Sequence, residues 1–192
     1  MTTLEEKLGY QFQNRELLEN ALTHSSCANE SRGKLQSNER LEFLGDSILG
    51  MVVADHLYRG HPDLPEGELT RVRAALVCEE SLVEVAQALD LGSYLLLGKG
   101  EEAGGGRTRP SIQADAVEAV LAAVYLDGGI GSARKIIQKY ILCREIEGTP
   151  VPGTTRPPSR NWSSGRADRC SSTGWWALRG PTTPSASSWT WI

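Results

Sequence analysis

Two short stretches concentrate the carboxylates most able to do chemistry. In SNERLEFLGDSILG, Glu39, Glu42 and Asp46 stand three and four residues apart. On a helix that spacing sets Glu42 beside Asp46 on one face, with Glu39 one turn earlier. In SIQADAVEAVLAAVYLDGG, Asp115 and Glu118 again lie one turn apart. Like charges so spaced weaken an isolated helix, so each set needs a compensating cation or full solvation. Solvation fits poorly. Leu41, Phe43, Leu44 and Ile48 crowd the first set, the second lies on an almost wholly apolar helix, and no Lys or Arg occurs between Pro110 and Ala133. Four carboxylates from two helices could share a divalent ion. No His or Cys belongs to the pattern, and all-oxygen donors suit Mg²⁺ or Mn²⁺ rather than zinc. Such an ion, with coordination positions left over, suits phosphodiester hydrolysis. Spacing alone leaves a metal site and a solvated acidic face both open.

The elements that must carry these groups read as helical throughout residues 1–147, with no period-two run to suggest a strand. Asn14 can cap a helix bearing Leu17, Leu18, Ala21 and Leu22. Ser37 or Asn38 can open a longer one with Leu41, Leu44, Ile48, Leu49, Val52 and Val53 on one side and Gly60 at its end. The loop HPDLPEG, the segment TRVRAALVCEESLVEVAQALDLG and a Gly-rich stretch from Gly98 to Gly106 follow. The second acidic helix runs from Ser111 to Leu126, DGGIG closes it, and SARKIIQKYILCREI makes a last amphipathic helix. The expected fold class is all-α. Gly45, inside the first acidic helix, costs ~1 kcal/mol relative to Ala, and a close helix contact there would account for it.

Composition narrows the classes further. A net charge of −4 excludes a generic basic nucleic-acid binder, though not a nuclease whose acids hold metal. The apolar run ILGMVVA from Ile48 to Ala54 is broken by Gly50, and no run approaches the ~18 residues of a membrane span, so none is expected. The opening MTTLEEKLGY lacks the basic start and apolar stretch of a secretory signal. Cys27, Cys78, Cys143 and Cys170 show no paired or metal-like spacing, and buried, reduced thiols of a cytoplasmic protein are expected. Among the histidines, His24 in LTHSS reads as a helix-end residue, and His56 and His61 as surface residues.

NERLEFLGDSIL, from Asn38 to Leu49, resembles the signature of the ribonuclease III family. LGYQF with LLENALTHSS, PEGELTRVRAALV and GGGRTRPSIQADAVEAVLAAVYLDGG resemble its other blocks in the same order. The resemblance implies an all-helical endonuclease domain over residues 1–147 that dimerises and cuts both strands of double-stranded RNA. It implies a Mg²⁺ site, with Mn²⁺ able to substitute, built from Glu42, Asp46, Asp115 and Glu118, of which Asp46 and Glu118 are catalytic. It implies products with 5′-phosphate and 3′-hydroxyl ends, precursors of ribosomal RNA as substrates, and messenger and transfer RNA precursors beside them. No small-molecule cofactor is expected. Glu39 and Glu66 match acidic positions with accessory or substrate-contact roles; rim acids are the alternative. Arg71, Arg73, Arg107 and Arg109 could meet phosphates, or be plain solvated charges. Phe43 is either a dimer-interface residue or a core residue. The rival from another class is a non-catalytic RNA-binding or dimerisation protein of the same fold.

Residues 148–192 have a different character. All five tryptophans fall within the last 31 residues, and Asp168 is the tail's single acid, against five arginines. Leu, Ile, Val, Phe and Met number only three from Gly148 onward. A disordered, low-complexity tail is expected, since so little apolar surface cannot offset ordering entropy. It lacks the α-β-β-β-α pattern of the double-stranded-RNA-binding domain that follows in bacterial members of the family. With suitable degenerate codons, STGWWALRGPTTPSASSWTWI read one nucleotide out of register becomes YRVVGTEGPDHAQRFQLDLD, which looks like that domain's strands. The single tryptophan codon constrains this reading. It implies a frame change near residues 147–155, either real in the gene or an error in its sequence, and a gene and messenger continuous in the present frame would exclude the error.

Overall fold

The computed structural model describes residues 2–31 and 34–144; the expectations for residues 148–192 lie outside them. Among the described residues eight helices follow one another: α1 (Thr2–Leu8), α2 (Arg15–Ala21), α3 (Ser25–Glu30), α4 (Glu39–Gly60), α5 (Glu66–Leu76), α6 (Glu79–Leu89), α7 (Lys99–Ala103) and α8 (Pro110–Tyr140). Short 3₁₀ turns at Leu91–Tyr94, Gly106–Thr108 and Leu142–Arg144 join or end them. Among the described residues the one β-type pairing is an isolated parallel bridge between Thr23 and Leu96. The fold is all-α.

The helix ends follow local chemistry. The Asn14 side chain accepts from the Glu16 N–H at 3.0 Å and starts α2. Asn38 precedes α4 but caps nothing with its side chain. It is buried, and its backbone N–H donates to the Thr23 carbonyl at 2.9 Å, tying the start of α4 to the end of α2. Gly60 is the last residue of α4, and Pro65 precedes α5.

The core forms around α8. From Ile112 to Val124 every residue except Asp115 is buried, as expected of a helix covered on all sides. Its main neighbour is α4, with α6 and α2 covering other sides. The core-facing positions read on α4 are confirmed: Leu49, Val52 and Val53 are fully buried, Leu41 and Ile48 nearly so, and Leu44 packs against them. The two expected C-terminal helices meet within α8 at a break at Gly129 (φ 74°, ψ 176°), inside DGGIG as expected, in a conformation that side chains other than hydrogen resist. The kink is tied down by Asp127, which accepts from the Tyr10 hydroxyl at 2.7 Å and from the Gln13 and Asn14 N–H groups at 2.9 Å each.

Two expectations are corrected and a third is sharpened. By length and mean hydropathy (1.3 over its best window) α8 is apolar enough to cross a membrane, although it holds no uninterrupted apolar run of that length. That window is 56% buried within the fold, and the apolarity belongs to a core helix. Cys27 and Cys78 are half-buried and Cys143 exposed, all as free thiols, because they lie on a short surface helix and at helix junctions rather than at core-facing positions. His56 and His61 are half-buried rather than fully on the surface.

Candidate active site

The acids of α4 and α8 meet where the two backbones touch. A Cβ built on Gly45 would lie 2.0 Å from the carbonyl oxygen of Glu118 and 2.5 Å from its carbonyl carbon. Only a residue without a side chain permits that approach. Glu42 and Asp46 flank Gly45 on α4, while Asp115 and Glu118 lie one turn apart on α8. The contact inferred from Gly45 therefore brings the two carboxylate pairs together.

Electrostatics shows the four as one cluster. Burial pushes the Glu118 carboxyl up to about 9, helped by the charges of Asp46, Glu42 and Asp115. Burial raises Glu42 to about 7, with Asp115, Glu39 and Asp46 adding repulsion. Asp115 rises to about 6, again first by burial and then by the charge of Glu79, while His24 pulls the other way. Asp46 rises by burial. None of the four forms an ion pair with a described Lys or Arg. Buried like charges without a counter-cation are costly.

Among the described residues, no three such side chains stand in an already closed metal-ligating cluster. The donor set itself fits a hard divalent ion: four oxygen-only carboxylates on two packed helices, with Glu118 only 7% exposed.

The remaining sequence candidates divide. Glu39 is exposed, accepts from the Ser37 hydroxyl at 2.8 Å and acts on Glu42 through its charge. Glu66 opens α5, accepts from the Thr70 hydroxyl at 2.8 Å and is not among the charges that move the cluster. Arg107 is spent on Glu102 and on two backbone carbonyls, and Arg109 on Glu101, which favours structural roles for both. Arg71 pairs with Glu68 on the same helix. His24 caps α3 as expected, its Nδ1 accepting from the Ser26 N–H at 3.3 Å. Sequence spacing missed His24 and Glu79 as neighbours of Asp115, since both come from distant parts of the chain.

A second feature of α4 is also clear only in three dimensions. Phe43 is 78% exposed, Met51 51% and Tyr58 75%. At 100° per residue these three fall on one side of the helix, so α4 is apolar on two sides. Phe43 is not a core residue.

A family model described as Ribonuclease-III-like matches residues 14–144. The chain belongs to the Ribonuclease-III-like family. Ribonuclease 3 of Caldanaerobacter subterraneus subsp. tengcongensis is 55% identical over 137 residues, 71% of this chain and 60% of that protein. Ribonuclease 3 of Streptomyces coelicolor is 56% identical over 138 residues, 72% of this chain and 49% of that protein. The chain thus spans about half to three-fifths of the length of these relatives. The nuclease domain of ribonuclease III from Campylobacter jejuni superimposes with a TM-score of 0.69 at 40% identity, over 75% of this chain and 95% of that one. A second structure of that nuclease domain, described for flexibility in a region involved in dimer formation, gives 0.68 at 42% identity, over 72% and 94%. The Ribonuclease-III-like match ends at residue 144, short of the compositionally distinct tail.

Proposed function

We propose that this chain is a divalent-metal-dependent endoribonuclease that cuts double-stranded RNA as a homodimer in the cytoplasm. The observation that carries the reading is the uncompensated four-carboxylate cluster at the α4–α8 contact, with Glu118 buried and held protonated to about pH 9 without a cation. Glu42, Asp46, Asp115 and Glu118 would hold Mg²⁺ or Mn²⁺, with Asp46 and Glu118 in the catalytic roles. When bound, such an ion supplies charge stabilisation at phosphorus and an activated water. The helices supply rigidity. All four carboxylates stand on α4 or α8, so their relative positions follow helix packing rather than loop motion.

Burial strengthens the attraction between ionised Glu118 and a bound cation, whereas without a cation the carboxyl is pushed toward its neutral form. Products with 5′-phosphate and 3′-hydroxyl ends, and ribosomal, messenger and transfer RNA precursors as substrates, complete the proposal. The second apolar side of α4, with Phe43, Met51 and Tyr58 open to solvent, supports self-association. The test uses a long RNA duplex at low salt, with Mg²⁺ or with Ca²⁺, and the chain beside Glu118→Gln. Cleavage by the parent with Mg²⁺ alone, lost in the variant while duplex binding persists, is expected. A folded, dimeric parent that binds the duplex without cutting it would instead establish the non-catalytic rival.

A further inference from the structure

Arg107 lies outside the carboxylate cluster, yet the segments that frame Asp115 meet on it. Its Nε donates to Glu102 Oε1 of α7 at 2.6 Å. Its Nη1 donates to the carbonyls of Gly92 at 2.9 Å and Leu95 at 2.8 Å, gripping both ends of the turn after α6. Its own carbonyl accepts from Gln113 Nε2 at 2.8 Å, and Gln113, 8% exposed, stands two residues before Asp115. The turn and the start of α8 are pressed close: a Cβ on Gly92 would lie 2.7 Å from the Arg107 carbonyl oxygen and 3.3 Å from Gln113 Nε2.

The gripped turn then continues into the strand-like segment that holds His24, whose charge acts on Asp115. The Leu96 N–H donates to the Leu22 carbonyl at 2.9 Å, and the His24 N–H donates to the Leu96 carbonyl at 3.0 Å. Ser26, which holds the His24 ring, accepts from the Gly98 N–H at 2.9 Å. Arg107 therefore links two segments: its backbone carbonyl holds Gln113 at the α8 start, which bears Asp115, and its guanidinium holds the turn that leads to the His24 segment.

We propose that Arg107 is a positioning residue for the carboxylate cluster, joining the Gly92–Leu95 turn to the α8 start and so setting the place of Asp115, and that it does not contact RNA phosphate. This rests on the endonuclease reading above. The joint needs a planar fork with donors at separate corners; a lysine ammonium is one point and cannot serve Glu102 and two carbonyls together. Loss of such outer support costs 10–100-fold in metal affinity or activity as a rule.

The experiment compares the 192-residue chain with Arg107→Lys, and with Gly92→Ala, which disturbs the same joint from the opposite side. Three quantities are read well below the unfolding temperature: Mn²⁺ binding by calorimetry without RNA, salt-dependent duplex binding in Ca²⁺, and kcat and KM in Mg²⁺. Both variants are expected to weaken Mn²⁺ binding and lower kcat by about 10–100-fold, with KM and the salt slope unchanged. A phosphate contact would show the reverse in Arg107→Lys: kcat kept, duplex binding weaker, and a salt slope smaller by about one. A lowered Tm with Mn²⁺ affinity and kcat intact would reduce Arg107 to a general stabiliser. Either result overturns the proposal. A parent that neither binds Mn²⁺ nor cleaves would sink the endonuclease reading itself, whereas a working parent beside unaltered variants would sink only the role of Arg107.

Discussion

Replacing Gly45 with alanine puts one methyl group where α4 and α8 touch. On an open helix the change would stabilise by about 1 kcal/mol, the difference in intrinsic propensity. Here the methyl carbon would sit 2.0 Å from the Glu118 carbonyl oxygen, and reaching the 3.4 Å of ordinary contact requires a retreat of about 1.4 Å. The obstructing atoms are backbone, so no rotamer change relieves them and the helices themselves must part. Overpacking of this kind costs about 1–3 kcal/mol and sometimes more. With the propensity gain set against the upper end, a net loss of about 2 kcal/mol is expected, or roughly 6–10 °C in Tm for a domain of this size. The same movement spreads Glu42 and Asp46 away from Glu118. A misplacement of about 1 Å can cost on the order of 100-fold in rate, so Mn²⁺ affinity and cleavage should fall more steeply than stability. Thermal unfolding with and without Mn²⁺, followed by duplex cleavage at 20 °C below the variant's Tm, measures both. A variant as stable as the parent, with its Mn²⁺ midpoint unmoved, would refute the close-contact reasoning.

The metal-free chain should lose stability as pH rises. Glu42, Asp115 and Glu118 have folded-state pKa values raised to about 7, 6 and 9, so their protonated forms favour folding below pH 4, and that advantage disappears between pH 4 and 9. Asp55 and Asp127, both held below their ordinary value, act in the opposite direction only under more acid conditions. Thermal melts across pH 4.5–9 should therefore show a falling Tm without metal, and Mg²⁺ or Mn²⁺ should raise Tm more at pH 8 than at pH 5; a flat metal-free profile would count against a coupled cluster. Phe43→Asp should dissociate the proposed dimer, since a central aromatic contact commonly contributes about 2 kcal/mol or more. Monomer stability should change by less than about 0.5 kcal/mol, as the residue is exposed. Sedimentation of parent and variant decides this, and a monomeric parent would end the homodimer proposal.

Much of the fold was legible because the chain writes it locally. The Asn14 cap, the apolar spacing from Leu41 to Val53, the end of α4 at Gly60 and the break at DGGIG all depend on neighbours within a turn or two. Features set by distant neighbours were not. The Gln113–Arg107 link and the ion pairs of Arg107 and Arg109 leave no trace in spacing, so those arginines read as candidates for phosphate. The second apolar side of α4 was hidden because Phe43, Met51 and Tyr58 share a helix with a strong core face. Buried thiols were a poor expectation for the same reason: an apolar neighbourhood in sequence does not say which side of a helix junction a cysteine occupies.

The amino-acid sequence by itself determined the acids. Their type, their three- and four-residue spacing and the absence of basic residues along the start of α8 mark a site that needs a cation or water. It also determined that a glycine, and no larger residue, stands immediately before Asp46, on the turn that follows Glu42. Only the tertiary structure decided that this glycine meets the backbone of Glu118, which makes two acidic pairs into one cluster. Burial then grades the four carboxylates, from Asp46, open to solvent yet partly desolvated by the helices beside it, to Glu118 inside. The physical reason is range. Capping and helical periodicity act over a few residues of chain, while desolvation and charge repulsion depend on distance through space, which only packing sets.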